Sequence, residues 1–299
     1  MLEALLSFLI WPGLLAGASL GWFFLWLSRK MIARTQRRLG PPFFQPFFDF
    51  LKLLGKHTLL PASMSPALYF GLPLVAVLSV TIALSLLPLP GNLTRSFAGD
   101  LILLLYLLEM PAFCDILAGY ASRSIYGQIG SAREAALVLG YSLPFLGSVI
   151  ALAIQAGSFR LKDLASQPFG LVHVFALLTF FLAVPARLKS NPFSIPNAEQ
   201  EIVAGAHVEY NGPALALFEL AHALELAAIS LLFGVLFAPK FPGLLGGLIL
   251  PLLGALILVI LTSLLAATTA RLQIHRAFRF YWTWGLLGAA ISILLAAIL

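Results

Sequence analysis

The sequence predicts an all-α integral membrane protein with about eight transmembrane helices and one amphipathic helix at the cytoplasmic surface. Of its 299 residues, 61% are hydrophobic and only 10% are charged, whereas soluble domains carry about 25% charged residues. Apolar runs of about 20 residues, enough for a helix to cross a bilayer, recur along the chain. These two observations exclude an ordinary soluble enzyme.

The first apolar run, at about 5–27, is longer than the core of a signal peptide and has no basic region before it. We interpret it as a retained helix whose N-terminus lies outside. We expect a single transmembrane domain over residues 1–299, with a cytoplasmic connection at 28–65 and an acidic cytoplasmic loop at 186–212. The other apolar runs lie at about 66–87, 101–119, 135–156, 171–185, 213–237, 244–270 and 280–299.

The basic residues indicate the orientation, because Lys and Arg favour the cytoplasmic side of a membrane. Eight spans place alternate connections on opposite sides, and the connections after spans one, three, five and seven carry fourteen of the eighteen basic residues. We therefore expect the odd-numbered connections to be cytoplasmic. Since the net charge of +6 follows from these flanking positions, it does not indicate nucleic-acid binding. The opposite side has Arg95, Arg160, Lys162 and Lys240.

A second kind of helix is predicted inside the first long connection. In the stretch 41–56, PPFFQPFFDFLKLLGK, apolar side chains fall on one helical face and Asp49, Lys52 and Lys56 on another. The stretch is too short and too charged to span, so we expect an amphipathic helix along the interface. Its role is either that of a lipid-surface anchor or that of a docking and cavity-lining element.

Acidic residues inside apolar runs are the candidate functional residues, because ionisable groups at that depth are costly. Glu219, His222 and Glu225 are spaced by three residues, which places them within a wedge of roughly 120° on one helix. They form either a proton or ion route or a polar seam between helices. Span three adds Glu109 and Asp115, which should point inward.

Glu134 lies at the start of the predicted fourth span, beside Arg133. It either belongs to the same proton or ion route or only favours a helix N-terminus. Cys114 is the single cysteine, so the chain cannot by itself hold an iron–sulfur cluster or a thiolate-ligated metal. The five histidines form no paired metal motif. We expect no metal or cofactor in this chain, and any redox centre must belong to a partner.

Three motifs carry a resemblance to a known family: ARTQRRLGPPFFQPFFDFLKLLGK, GYASRSIYGQIGSAREAALV and NAEQEIVAGAHVEYNG. They resemble the membrane subunit that seats the peripheral arm in respiratory complex I, known as its H subunit, and in the related energy-converting nickel–iron hydrogenases. The compact segment 40–46 is more similar to the hydrogenase branch, whereas GYASRSIYG is more similar to the quinone-reducing enzymes. We favour the hydrogenase branch.

The resemblance implies a membrane subunit in the cytoplasmic membrane of a prokaryote, which couples hydrogen evolution to the movement of H⁺ or Na⁺. The implied partners are the peripheral hydrogenase large and small subunits, an iron–sulfur subunit, and antiporter-like and small membrane subunits within the lipid bilayer. The nickel–iron centre and iron–sulfur clusters would lie in those partners. The alternatives are a complex I-type dehydrogenase subunit that admits a quinone and a purely structural docking scaffold, while a stand-alone transporter is disfavoured by the missing internal repeat.

The resemblance also assigns roles to residues. The loop acids Glu199, Glu201 and Glu209 would link the redox arm to the charged axis in the membrane. Three family acids are replaced, by Ser142, Ser194 and His275, which puts the usual proton entry route in doubt because a serine hydroxyl cannot hold a charge. The residues that would meet the peripheral subunits are Arg37, Arg38, Gln45, Asp49, Lys52, Arg123 and Arg133.

Overall fold

The computed structural model describes residues 2–62, 64–92, 96–239, 241 and 243–298, except for the side chains of Leu2, Glu3, Ala4 and Glu199. Every regular element in this part of the chain is helical, which confirms the predicted all-α class. The α-helices are α1 Leu2–Leu9, α2 Leu14–Thr35, α3 Gln45–Leu54, α4 Pro66–Leu86, α5 Asp100–Ala121, α6 Ile125–Ala156, α7 Leu161–Ser166, α8 Leu171–Arg187, α9 Glu199–Ile202, α10 Gly212–Phe237, α11 Leu250–Thr268, α12 Ile274–Phe280 and α13 Leu286–Ile298. A 3₁₀ turn covers Gly205–His207, and π turns cover Leu245–Ile249 and Tyr281–Gly285.

Seven of the eight predicted apolar runs correspond to helical stretches long and apolar enough to cross a membrane. The remaining run forms α8, which has 17 residues and is therefore about 25 Å long, short of the ~30 Å hydrocarbon core. α8 ends at Arg187, whose side chain is buried, so this helix stops inside the protein. The seven stretches are Leu5–Thr35, Pro66–Leu86, Asp100–Ala121, Ile125–Ala156, Gly212–Phe237, Leu245–Thr268 and Ile274–Ile298.

One predicted run is interrupted, and one predicted helix start is wrong. The first run is interrupted after α1, because Pro12 has no N–H to donate and a side chain at Gly13 would collide with the backbone oxygen of Phe8. The fourth run begins at Ile125, ten residues before the predicted start, so α6 has 32 residues. Glu134 consequently lies in the third turn of α6, and the interpretation that it only favours a helix N-terminus is wrong.

The connections gather alternately at the two ends of the helix bundle. At one end, the 188–211 loop reaches the segment after α3, where Leu59 N donates to Asn211 Oδ1 at 2.8 Å, and it also reaches the connection after α11, where Leu272 N donates to Pro192 O at 2.9 Å. At the other end, Leu161 N donates to Asp100 Oδ1 at 2.7 Å. This supports the alternation on which the predicted orientation rests. Arg95 and Lys240 lie outside the described residues.

The hydrophobic core is centred on α10, which packs against α2, α3, α4 and α11. α10 is buried along most of its length, as expected for a helix whose apolar residues surround it on all sides. A second group forms around α6, which packs against α5, α8 and α13. The ends of α5, α6, α8 and α10 that adjoin the 188–211 loop therefore meet beneath it.

The predicted amphipathic helix is present as α3, over Gln45–Leu54. It lies against α2 and α10, with Pro46 buried on the inner face and Phe48 and Leu51 exposed on the outer face. Trp22 of α2 contacts Phe47 and Phe50 of α3, with ring centroids 5.0 and 5.4 Å apart. These aromatic contacts fix α3 to the bundle.

Candidate functional site

Four acidic side chains meet in the protein interior near one end of the bundle. Glu109 and Asp115 lie on α5, Glu134 on α6 and Glu225 on α10. Asp115, Glu134 and Glu225 are buried, and the Glu109 side chain retains 13% exposure. Carboxylates that leave water at such positions require counter-ions and hydrogen-bond donors, and the end of α8 supplies them.

Arg187, the last residue of α8, is the counter-ion of two of these acids. Its Nη1 forms an ion pair with Glu109, and its Nε lies 3.7 Å from Glu225 Oε1. Its Nη2 donates to the Leu108 carbonyl, and the guanidinium carbon lies 4.5 Å from the centre of the Phe145 ring. A planar group with five donors suits this environment better than an ammonium group. Arg187 thus joins α5, α8 and α10.

Lys189, two residues further along, is the counter-ion of the other two. Its Nζ forms an ion pair with Asp115 and lies 3.3 Å from Glu134 Oε1. Burial alone would lower the pKa of Lys189, but the carboxylates of Asp115 and Glu134 raise it well above its usual range. The other Asp115 oxygen lies 2.9 Å from His207 Nε2 in the loop. Lys189 therefore remains charged at any physiological pH.

We call these seven residues the buried ion-pair cluster: Glu109, Asp115, Glu134, Glu225, Arg187, Lys189 and His207. Four carboxyl groups face two permanent cations and one histidine. The four carboxyl groups therefore outnumber the two cations, and neutralising all of them would take bound protons or further cations. An arrangement with more carboxyl groups than cations can take up and release protons when the surrounding charge changes.

A second ion pair connects the outer loop to α6. Arg133 Nη1 lies 2.6 Å from Glu201 Oε2 of α9, and the Glu201 side chain is 52% exposed. The loop packs closely against α6 at Gly130. A Cβ added there would stand 2.7 Å from the backbone nitrogen of Ala206. Arg133 is the direct neighbour of Glu134, so one turn of α6 carries both the surface pair and a member of the buried ion-pair cluster.

The three predicted residues of α10 line one common cavity. Glu219, His222 and Glu225 all line a cavity of about 110 Å³, together with Asp115 and Lys189 of the buried ion-pair cluster. Glu219 is exposed, His222 is half-buried and Glu225 is buried, so the three form a graded path from the surface to the cluster. Their part in proton or ion movement remains a prediction.

The two remaining loop acids are Glu209 and Glu199. Glu209 is half-buried and forms no ion pair with another described residue. Glu199 begins α9, but its side chain lies outside the described residues. Of the three predicted loop acids, the structure gives an ion-pair partner to Glu201.

The predicted docking residues lie at the end of the bundle that carries the 188–211 loop. Asp49 of α3 pairs with Arg29 of α2 at 3.1 Å and accepts a hydrogen bond from Gln45 Nε2 at 2.7 Å. The contact with Arg29 links α3 to α2. Arg133 contacts Glu201, as described above. The others have exposed side chains, and their part in docking remains a prediction: Arg37, Arg38, Lys52 and Arg123.

The three positions where family acids are replaced have different environments. Ser142 Oγ lies 3.5 Å from Glu109 Oε2, so its hydroxyl borders the buried ion-pair cluster. Ser194 Oγ accepts a hydrogen bond from Arg271 Nε at 3.2 Å in the loop region. His275 is exposed on α12. Ser142 is the replacement that touches the cluster.

Three members of the buried ion-pair cluster are not among the residues that the sequence singles out. Arg187 and Lys189 stand in the sequence among the basic residues that set orientation, and His207 is one of the scattered histidines. Their role could have been inferred from the sequence in one way, because each acid inside an apolar helix needs a cation nearby. Among the described residues, no three His, Cys, Asp or Glu side chains form a group that could hold a metal ion, and the metal centres of partner subunits remain an expectation.

The sequence and the fold match known proteins. A family model described as NADH dehydrogenase matches residues 9–297. The chain belongs to the NADH dehydrogenase family. Within this family, the H subunit of the NADH-quinone oxidoreductase of Brevibacillus brevis is 31% identical over 314 residues, which cover 98% of this chain and 93% of the relative. The corresponding H subunit of Dehalococcoides mccartyi is 31% identical over 280 residues, which cover 87% of this chain and 76% of the relative.

A solved structure supports the same assignment. A chain in the structure of the membrane-bound sulfane sulfur reductase, an archaeal respiratory membrane complex, superposes with a TM-score of 0.88 at 29% identity, covering 99% of this chain and 98% of that one. This chain is thus a membrane subunit of the complex I-like type. The resemblance drawn from its three sequence motifs is confirmed.

Proposed function

We propose that the chain docks a peripheral redox arm and couples electron transfer and hydrogen evolution in that arm to the translocation of H⁺ or Na⁺. In this proposal, partner subunits hold the nickel–iron centre and the iron–sulfur clusters. This chain supplies charged groups and no redox group. The hydrogenase branch is supported by the compact segment 40–46, which takes the chain directly from α2 to α3.

One observation carries the proposal: a series of charged groups leads from the exposed loop into the bundle. It begins at the surface pair of Glu201 with Arg133 and continues from the adjacent Glu134 through Lys189 and Asp115. The final members are Arg187 and its two glutamates. A charge that appears on a docked redox arm changes the relative free energies of protonation states along this series, because charges interact strongly in a low-dielectric interior. Such differential stabilisation is a coupling mechanism.

A second candidate is a quinone-reducing dehydrogenase of the complex I type. The curated relatives are named as H subunits of NADH-quinone oxidoreductases, and a cavity of about 410 Å³ lies at the loop end of the bundle. It is lined by Asn191, Asn197 and Arg271, among others, and its size falls within the range of small-molecule sites. A third candidate is a scaffold in which the buried ion-pair cluster only holds helices together.

The first experiment separates the two redox candidates. The complex is purified in mild detergent through a tag on this chain, and its metals, hydrogen evolution and quinone reduction are measured. Nickel together with hydrogen evolution from a low-potential donor supports the hydrogenase. Iron without nickel, together with quinone reduction, supports the dehydrogenase.

The second experiment tests coupling with Glu201→Gln, which keeps the side-chain size and removes the charge. We expect normal assembly and a lower ratio of ions moved to electrons transferred in proteoliposomes. The matched control is Asp163→Asn at the other end of the bundle, where the side chain accepts a hydrogen bond from Ser158 Oγ at 2.6 Å. An unchanged ratio in Glu201→Gln would support the scaffold and contradict the coupling role.

A further inference from the structure

Two cavities adjoin where α3 lies against α2. The first is a groove of about 550 Å³ lined by one serine and six aromatic side chains. Phe44, directly before α3, and Phe48, on α3, are 58% and 54% exposed on its rim, although α3 is fixed to the bundle. Open aromatic surface of this extent at a membrane interface is suited to hold an apolar chain.

The second cavity, of about 270 Å³, has a basic character. It is lined by the side chains of Arg29, Lys52 and Lys56, with Asp49 and Glu219 as the two acids. Arg29 and Asp49 pair with each other at 3.1 Å. Lys52 and Lys56 form no ion pair with a described residue, so the cavity offers two ammonium groups against one unpaired carboxylate.

The two cavities share a wall. The Trp22 side chain lines both of them, so the aromatic groove leads directly to the two lysines. An occupant that satisfies both must combine a long apolar chain with an anionic group at one end. Neither a neutral amphiphile nor a small soluble anion matches both halves.

We propose that this composite groove binds one anionic phospholipid, with an acyl chain along the aromatic groove and the phosphate between Lys52 and Lys56. Basic residues on amphipathic helices attract anionic headgroups, and an acyl chain gains stability by leaving water for the aromatic surface. The predicted cytoplasmic position of α3 places the site at the leaflet that carries such lipids. The proposal does not depend on which redox reaction the complex performs.

The bound lipid would have a structural consequence. Glu219 lines both the basic cavity and the cavity beside the buried ion-pair cluster. A phosphate held by the two lysines would compete with Glu219 for their charge. Lipid composition would therefore modify the electrostatic environment of the surface end of the α10 trio.

The test uses the complete complex, purified through a tag on this chain and stripped of lipid with detergent. Phosphatidylglycerol and phosphatidylcholine with identical acyl chains are added, and native mass spectrometry counts bound molecules and gives the apparent affinity for each. We expect one phosphatidylglycerol site per chain that is tighter than any phosphatidylcholine site. The double variant Lys52→Gln with Lys56→Gln should weaken phosphatidylglycerol binding about 25-fold, roughly fivefold per lysine, and leave phosphatidylcholine binding unchanged.

Two controls keep the result interpretable. Lys52→Arg with Lys56→Arg retains both charges and should bind phosphatidylglycerol as the wild type does, even if the glutamine variant assembles poorly. Arg160→Gln with Lys162→Gln removes two exposed cations at the other end and should change nothing. Equal affinity for the two lipids, or unchanged phosphatidylglycerol affinity in the glutamine variant, overturns the proposal. So does displacement of the bound lipid by a neutral isoprenoid quinone with no effect of the lysine substitutions.

Discussion

Replacement of Arg187 by methionine tests whether the buried ion-pair cluster is held by charge. Methionine fills similar space but leaves Glu109 and Glu225 without their cation, and the Leu108 carbonyl without its donor. Breaking a buried ion pair by removing one partner costs about 3–5 kcal/mol, because the other partner remains as an uncompensated charge. The lost contact with the Phe145 ring, 4.5 Å away, acts in the same direction.

The expected effect is measurable by thermal unfolding of the purified complex. At roughly 2 °C per kcal/mol for a chain of this length, the midpoint should fall by about 6–10 °C. Adding Glu109→Gln to the methionine variant should recover part of this loss, because the double variant no longer buries that carboxylate without a cation. Arg160→Met, at an exposed position, serves as the control and should change stability by about 0.5 kcal/mol or less.

Two results would refute this reasoning. A midpoint within about 2 °C of the wild type, less than the loss expected from 1 kcal/mol, would mean that water or a neighbouring side chain compensates both carboxylates without Arg187. A double variant no more stable than Arg187→Met would mean that the loss comes from packing, since the cost of the uncompensated charge should have been relieved. Arg187→Lys distinguishes these contributions further, because it keeps the charge and removes the planar donor group.

Three further predictions concern the loop and the second counter-ion. Gly130→Ala should detach the 188–211 loop from α6 and increase its cleavage in limited proteolysis, because its Cβ would stand 2.7 Å from Ala206 N. Gly71→Ala, with no atom within 4 Å of its Cβ, should leave proteolysis unchanged. Lys189 has a pKa raised by Asp115 and Glu134, so the stability it contributes is present below its usual pKa and is lost only as the pH rises through the higher folded value. Melting profiles of Lys189→Arg and wild type should therefore remain parallel between roughly pH 6 and 9, and a divergence would show that Lys189 titrates there. Glu201→Gln should lower the free energy of unfolding by less than about 1 kcal/mol because the pair is exposed, and a larger loss in chemical denaturation would contradict this.

Much of the fold is predictable because a membrane restricts the chain to long apolar helices. Each of the eight runs is mostly helical over the residues that the structure describes, and the amphipathic helix α3 is present as predicted, since each depends on local composition. The start of α6 is not predicted because residues 125–134 are polar on one face and pack against the loop, a tertiary contact that apolar run length does not report. The interruption at Pro12 does have a local signal, the missing N–H, but the apolar composition on both sides of it hides the break.

The candidate site is predictable in its acids and not in its cations. Glu109, Asp115 and Glu225 stand out because each is a charge inside an apolar run. Arg187 ends α8 and Lys189 lies two residues beyond it, where a basic residue ordinarily marks the cytoplasmic boundary. Only the packing of four helix ends shows that these two side chains turn inward. His207 gives no signal, because its partner Asp115 lies 92 positions away.

The long α6 joins the 188–211 loop to the buried ion-pair cluster. With 32 residues it extends about 48 Å, more than the ~30 Å thickness of a hydrocarbon core, and its first turns pack against the 188–211 loop. These turns contact Glu201 of the loop through Arg133 and Lys189 of the buried ion-pair cluster through Glu134, on consecutive residues. A displacement of the loop would therefore reach the buried charges across a single peptide unit.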